Sequence, residues 1–233
     1  MSEMNAPILR LSVGMPWEII RAIVNDRSAD LYTKSGNIGA YSSVIVLVPD
    51  YAAGFVILGA EGNVPNDLTV LADIVSDKFL PALEQAARDQ ASTDFAGSYA
   101  LDTMNSSITL AVEDGKPGIG IDAWISNGSD ILAAVALLTG RTGHPDVRLC
   151  PTGLMTQAGE NQQVAFRALI PVTYSSGGNG YFSQVQYGDQ WEEIDQAEYG
   201  QVAVNEFLFE LDGEAHVLSV TPRALRVTLP KRS

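Results

Sequence analysis

An α+β fold is predicted for this 233-residue chain: an antiparallel sheet under one long covering helix, followed by an antiparallel β-barrel-like domain. Three observations carry the prediction. Residues 17–60 alternate β-rich runs with tight-turn residues. Residues 67–91 place apolar side chains at helical spacing. Beyond residue 97 the pattern becomes short strands separated by turns, the signature of a curled sheet or barrel. The boundary falls in Ser92–Gly97, giving domains 1–91 and 92–233.

In the first domain Gly14-Met15-Pro16 punctuates before a strand at Trp17–Ile23, and the polar turn Asn25–Ser28 leads to a second strand at Ala29–Lys34. Gly36–Ala40 reads as a glycine-punctuated loop. Ser43–Val48 and Gly54–Gly59 form a hairpin turned at Pro49-Asp50-Tyr51. Asn66 or Asp67 caps the helix, whose apolar positions include Leu68, Leu71, Ile74, Phe79, Leu83 and Ala87. Pro81 is expected to break or kink it and restart it as a first-turn proline.

The second domain is expected to hold strands at Gly97–Ala100, Ser107–Glu113, Gly118–Ile125, Val164–Val172, Gly180–Tyr187, Trp191–Glu193, Glu206–Leu211, Val217–Thr221 and Leu225–Leu229. Asp114-Gly115, Ser175–Gly180 and Asp212-Gly213 are turn signals, and Asp130–Leu138 reads as a short helix. Trp124, Phe166, Tyr181, Phe182 and Trp191 are assigned to the core, because small barrels are filled by their own side chains.

Composition narrows the function classes. Apolar residues make up 46% and charged residues 18%, which describes a globular chain with a sizeable core. A net charge of −14 argues against nucleic acid or an anionic membrane as a partner. Cys150 is the only cysteine and reads as a small core hydrophobe, so no intrachain disulfide is available. With two histidines far apart, no metal site is expected, and no cofactor is implied. Met1–Arg10 lacks a signal-like apolar core, so the chain as written is expected to be soluble and cytoplasmic. The sequons Asn105-Ser106-Ser107 and Asn127-Gly128-Ser129 would matter only in a longer, secreted parent.

The chemistry concentrates at Lys34-Ser35-Gly36. A lysine, a hydroxyl and a glycine on a strand before a hairpin suit one wall of an acyl-transfer site. Lys34 offers charge to a carboxylate and Ser35 a hydrogen bond. Gly36 allows close approach, and the Asn37 N–H is placed to hold an oxyanion. The expected opposite wall, a serine in Ser-x-x-Lys, is missing. Lysines 34, 78, 116 and 231 are preceded three residues earlier by Leu31, Val75, Glu113 and Thr228.

These segments, with Gly14-Met15-Pro16-Trp17-Glu18-Ile19, Gly39-Ala40-Tyr41-Ser42-Ser43 and Val48-Pro49-Asp50-Tyr51, resemble the end of a serine β-lactamase-related domain. Trp124–Gly128, Pro151-Thr152-Gly153-Leu154 and Thr221–Thr228 resemble the extra C-terminal β domain of its fungal members. The resemblance implies that Lys34 and Ser35 form the third motif and Asn37 supplies an oxyanion N–H. It also implies that the helical lobe, the Ser-x-x-Lys serine and the Tyr-x-Asn element precede Met1. Three readings stay open. One is a truncated protein that binds a small carbonyl- or carboxylate-bearing molecule and performs an isomerisation or cyclisation in secondary metabolism. The second is a non-catalytic accessory subunit that pairs an exposed sheet edge with itself or a homologue. The third is the C-terminal part of a longer serine hydrolase.

Around the motif, Tyr32 and Tyr41 are candidates to line a pocket, against a core role with the hydroxyl at its rim. Glu18 and Asp30 are acid–base candidates if an apolar cleft raises a pKa, against the reading of ordinary strand-end acids. His144, in the polar loop Thr142–Pro145, is a weaker acid–base candidate, and His216 reads as exposed.

Overall fold

The computed structural model describes residues 11–24, 27–60, 64–112, 116–138, 143–169 and 197–232. The chain divides into two compact units, residues 1–89 and 90–233. The architecture is α+β, with antiparallel sheets and two helices.

The first unit is a five-stranded sheet in sequence order: β1 (Leu11–Gly14), β2 (Trp17–Val24), β3 (Arg27–Ile38), β4 (Tyr41–Val48) and β5 (Ala53–Ala60). Helix α1 follows at Val64–Phe95. Register and the two-residue period put Val24, Leu31, Val46 and Val48 on one face, where Phe79, Leu80 and Leu83 of α1 pack against them. Each such side chain contributes roughly 1.5–3 kcal/mol when fully buried. The turn Pro49–Tyr51 between β4 and β5 is tied to α1 by the Tyr51 hydroxyl, which donates to Glu84. Glu84 is only 3% exposed, and its other oxygen accepts from Arg88 Nε at 3.1 Å.

Two local expectations change here. Residues 36–38 are strand, not loop, because β4 offers a partner to every residue of β3 out to Ile38. The reversal shrinks to Gly39-Ala40, with Gly39 at φ +59, the conformation glycine supplies in two-residue hairpins. Helix α1 starts ahead of Asn66 and runs through Pro81 without a break. A proline in a helix interior costs about 3 kcal/mol. Apolar residues flanking it at 79, 80 and 83 are anchored in the sheet, and that burial offsets the loss.

The second unit holds β6 (Gly97–Leu101), β7 (Ser106–Ala111), β8 (Ile119–Ser126), β9 (Ser129–Asp130), α2 (Ile131–Leu138), β10 (Arg148–Ala158) and β11 (Asn161–Leu169). After them come β12 (Glu198–Tyr199), β13 (Val202–Ala203), β14 (Glu206–Leu211), β15 (Val217–Pro222) and β16 (Leu229–Pro230). Strands β12 and β13 pair with each other; the rest form one antiparallel sheet in the order β16-β15-β14-β11-β10-β8-β7-β6, with β9 beside β8. Its two ends meet at the bridge Tyr99↔Lys231, and the Arg232 N–H donates to Ser98 O at 2.8 Å. The core is aromatic. Phe95, Tyr99, Phe166 and Phe209 contact ring to ring, and Trp124 lies against Phe207.

Trp124 and Phe166 are buried in that core, as their strand positions predict. Strand β10, absent from the expectations, carries Pro151, which cannot donate to a ladder. The register shift between Pro151 and Met155 accommodates it. The expected strand Leu225–Leu229 is instead a one-turn helix at Arg223–Leu225, ended by Arg226 at φ 54, and only Leu229–Pro230 pairs. The expected strands Gly180–Tyr187 and Trp191–Glu193, with Tyr181, Phe182 and Trp191, lie outside the described residues, as do Asn25-Asp26 and Asp114-Gly115.

Candidate functional site

Strand β3 changes character at Thr33. Ala29, Leu31 and Thr33 are buried, whereas every residue from Lys34 to Ala40 is exposed. The cause is the length of its neighbour. Pairing of β2 with β3 ends at Glu18↔Thr33, while β4 continues beside β3 to Ile38. Residues 34–38 are therefore paired on one side only among the described strands. The Lys-Ser-Gly motif sits on this free half-edge, where backbone polar groups are open to a ligand.

The two-residue period sends the Lys34 side chain to the face opposite α1, where Gly36 leaves the backbone bare, and those of Ser35 and Asn37 to the α1 face. One ligand meets Lys34 and Ser35 together only around the free edge. Tyr32, Tyr41 and Ser43 share the Lys34 face by register. Tyr41, Gly36, Asn37, Ile38, Ser43 and Leu58 border an open depression of about 430 Å³. Ser43, which sequence reasoning passed over, donates to Gly36 O at 3.4 Å. Its signal is the register Gly36↔Ser43, which no local pattern reveals.

Lys34 Nζ lies 3.1 Å from Glu18 Oε1 and donates to Ser35 O at 3.1 Å. Both ionic side chains are about half exposed, 46% for Lys34 and 48% for Glu18. An ammonium has three donors, so one remains for a ligand. Exposed ion pairs contribute about 0.2–1 kcal/mol, so an incoming carboxylate can displace Glu18. Glu18 thus positions the lysine.

Asp30 is engaged elsewhere. Arg21 donates to it through Nε at 2.8 Å and a terminal nitrogen at 3.1 Å. That guanidinium holds the carboxyl below the usual Asp range, the opposite of what an acid at neutral pH requires. Tyr32 is half-buried and meets Trp17 edge-on at 6.4 Å, on the face opposite the α1 core.

The second unit carries the two histidines. His144 Nε2 is 2.9 Å from Asp130 Oδ2, while Asp130 Oδ1 accepts from the Ala133 N–H and caps α2. His216 is exposed beside Asp212, its Nδ1 3.4 Å from Oδ2. Cys150 is half-buried and free of disulfide bonding. Among the described residues no group of three or more His, Cys, Asp or Glu is placed to hold a metal ion. No helix of the described residues is long and apolar enough to cross a membrane.

Residues 87–233 match the family described as "Beta-lactamase-like-like, C-terminal domain". The chain belongs to this β-lactamase-like family. A probable hydrolase of Phoma sp. is 29% identical over 94% of this chain and 38% of its own length. A β-lactamase-like protein of Arthroderma benhamiae is 26% identical over 89% of the chain and 39% of its own. A probable hydrolase of Cochliobolus lunatus is 33% identical over 54% of the chain and 21% of its own. The chain therefore spans less than two fifths of the length of each of these relatives. No solved structure matches it. The family match starts at residue 87, beyond the Lys34 strand, but alignments covering 94% and 89% of the chain necessarily run across residues 34–37.

Proposed function

We propose that the free half-edge of β3 binds a small molecule bearing a carboxylate or carbonyl, with Lys34 as its charged contact. The observation that carries the reading is the exposed Lys34 ammonium, held 3.1 Å from a displaceable Glu18 at a strand edge without a neighbour among the described residues. A ligand carboxylate replaces Glu18 at Nζ. Gly36 lets its body lie against the strand, and Ser35 and the Asn37 N–H reach it around the edge. Tyr41 covers the adjoining depression.

Within these 233 residues there is no Ser-x-x-Lys nucleophile. Acting alone, the site works by polarisation: Lys34 and the Asn37 N–H stabilise an enolate or oxyanion during an isomerisation or cyclisation. A second reading is favoured by the two relatives named as probable hydrolases. In it, the same edge orients the acyl substrate of a hydrolase whose nucleophile comes from sequence outside these residues. The sheet of the second unit is, in this proposal, a barrel closed through Tyr99↔Lys231.

Isothermal titration with phenylacetate tests the binding site. Micromolar-to-millimolar binding to the intact chain, lost in Lys34→Ala and strengthened in Glu18→Gln, is the expected result. Equal binding by Lys34→Ala would overturn the assignment. A fluorophosphonate serine probe separates the two catalytic readings: an unlabelled chain is expected from both when it is tested alone, and labelling restored by a longer homologue selects the hydrolase reading.

A further inference from the structure

Thr33 is a buried polar residue on the α1 face of β3, 7% exposed and paired in register with the buried Val46. A valine has the same shape and no polar group to satisfy, so the hydroxyl calls for its own account. Thr33 Oγ1 donates to Glu18 O at 2.8 Å. Glu18↔Thr33 is also the pair at which β2 parts from β3. The next residue, Lys34, takes the other end of the same glutamate, with Nζ 3.1 Å from Glu18 Oε1. Consecutive residues of β3 therefore hold the main chain and the carboxylate of one residue.

We propose that Thr33 is a positioning residue of this site: its hydroxyl fixes the Glu18 backbone where β2 leaves β3, so that the carboxylate stays on Lys34 and the edge prefers a neutral carbonyl ligand to a carboxylate. The inference rests on the reading of Lys34 as the ligand contact. Register explains why the backbone anchor matters. Glu18 and Thr33 share the α1 face and Lys34 starts on the opposite one, so ammonium and carboxylate meet only around the free edge. A pair formed that way depends on where the Glu18 backbone sits. Both side chains are about half exposed, so the ion pair by itself is weak and does not hold the geometry alone.

The held carboxylate sets the ligand preference. With Glu18 in place, the ammonium keeps one donor free and its charge is balanced. A ketone, amide or ester oxygen takes that donor and leaves Glu18 where it is. A carboxylate brings a second negative charge within roughly 5 Å of the first, a repulsion in water equivalent to about fourfold in affinity. Displacing Glu18 avoids the repulsion but gives up the pair.

Titration calorimetry of the intact chain with phenylacetate and phenylacetamide, alike in shape and different in charge, reads the preference as a ratio of affinities. Glu18→Gln is expected to shift that ratio about fourfold toward phenylacetate. Thr33→Val is expected to shift it about two- to threefold the same way, and to add nothing in the Glu18→Gln background. Thr33→Ser returns the hydroxyl and with it the native ratio. A threonine with only a structural role would weaken both ligands together or lower the urea midpoint, with the ratio unmoved; that result overturns the inference. So does an unchanged ratio in Glu18→Gln, which leaves the buried strand intact. Lys34→Ala keeps the two readings apart. Binding that survives it, or no binding of either ligand by the native chain, overturns the site and this inference together. Lys34-dependent binding with a ratio indifferent to Thr33 and Glu18 overturns this inference alone.

Discussion

The two units of this chain use antiparallel strands to opposite ends. In the second unit, strands bury alternate residues in an aromatic core: Phe207 and Phe209 of β14 are fully enclosed, and Tyr99 and Phe166 close around Phe209. In the first, α1 anchors one face through a small cluster, Val24, Leu31, Val46, Val48 and Leu80, and the opposite face leaves Ile38, Tyr41, Val56 and Leu58 exposed. Exposed apolar side chains gathered on one surface mark places where something binds. The difference puts the larger buried core in the second unit and leaves the exposed apolar face, which the proposed ligand reading uses, in the first.

The strongest way to break that division is to empty each core. Phe209→Ala removes a ring that touches three others and should cost about 3–5 kcal/mol, read as a lowered urea midpoint. Leu31→Ala should cost about 2 kcal/mol, at the low end of the range for leucine, because a smaller cluster surrounds it. Equal losses would mean that the first unit is as tightly packed as the second.

Between these lies the buried carboxylate. Glu84 accepts from Tyr51 and Arg88, joining the β4–β5 turn to α1. Glu84→Ala leaves the largely buried Arg88 without this partner and should cost about 3 kcal/mol. Tyr51→Phe removes one hydrogen bond and should cost about 1–2 kcal/mol. Thermal unfolding of both variants checks the order. A neutral effect of Glu84→Ala would mean that apolar packing alone fastens the turn.

Where the sequence was legible, one local period decided the outcome. Glu206–Leu211 alternates through Phe207, Phe209 and Leu211, and it is a strand buried at those three residues. Asp130–Leu138 reads as a short helix, and α2 forms at Ile131–Leu138 with Asp130 capping it. Legibility failed where distant partners decide. Residues 36–38 carry glycine and asparagine, and only β4 makes them strand. Pro151 hid β10, because a shifted register is a property of two strands together. At the candidate site, the Lys-Ser-Gly order was readable, but the Lys34–Glu18 pair depends on residues sixteen apart meeting across β2 and β3. The free half-edge depends on where β2 ends, which residues 34–38 do not encode.

The smallest effects belong to surface carboxylates, and they sharpen the comparison through pH. Asp30 in the first unit is held below its ordinary range mainly by the Arg21 hydrogen bonds. Asp130 and Asp212 in the second are held low mainly by backbone N–H donors, from Ala133 and His216. A depressed folded pKa gives stabilisation that is complete above the unfolded value, about 3.9, and is lost as pH falls through the folded value. Asp30→Asn should therefore change stability little at neutral pH and flatten part of the acid limb below about pH 4. Salt separates the units further. The Arg21–Asp30 contribution should shrink at high ionic strength, because both groups are open to solvent. The contributions of Asp130 and Asp212 should persist more fully, because their main donors are fixed backbone dipoles and not a mobile side chain. Urea midpoints from pH 2.5 to 5, at low and high salt, measure this for Asp30→Asn and Asp212→Asn. Equal salt sensitivity in the two variants would place the Asp212 effect with the His216 ring instead of the backbone.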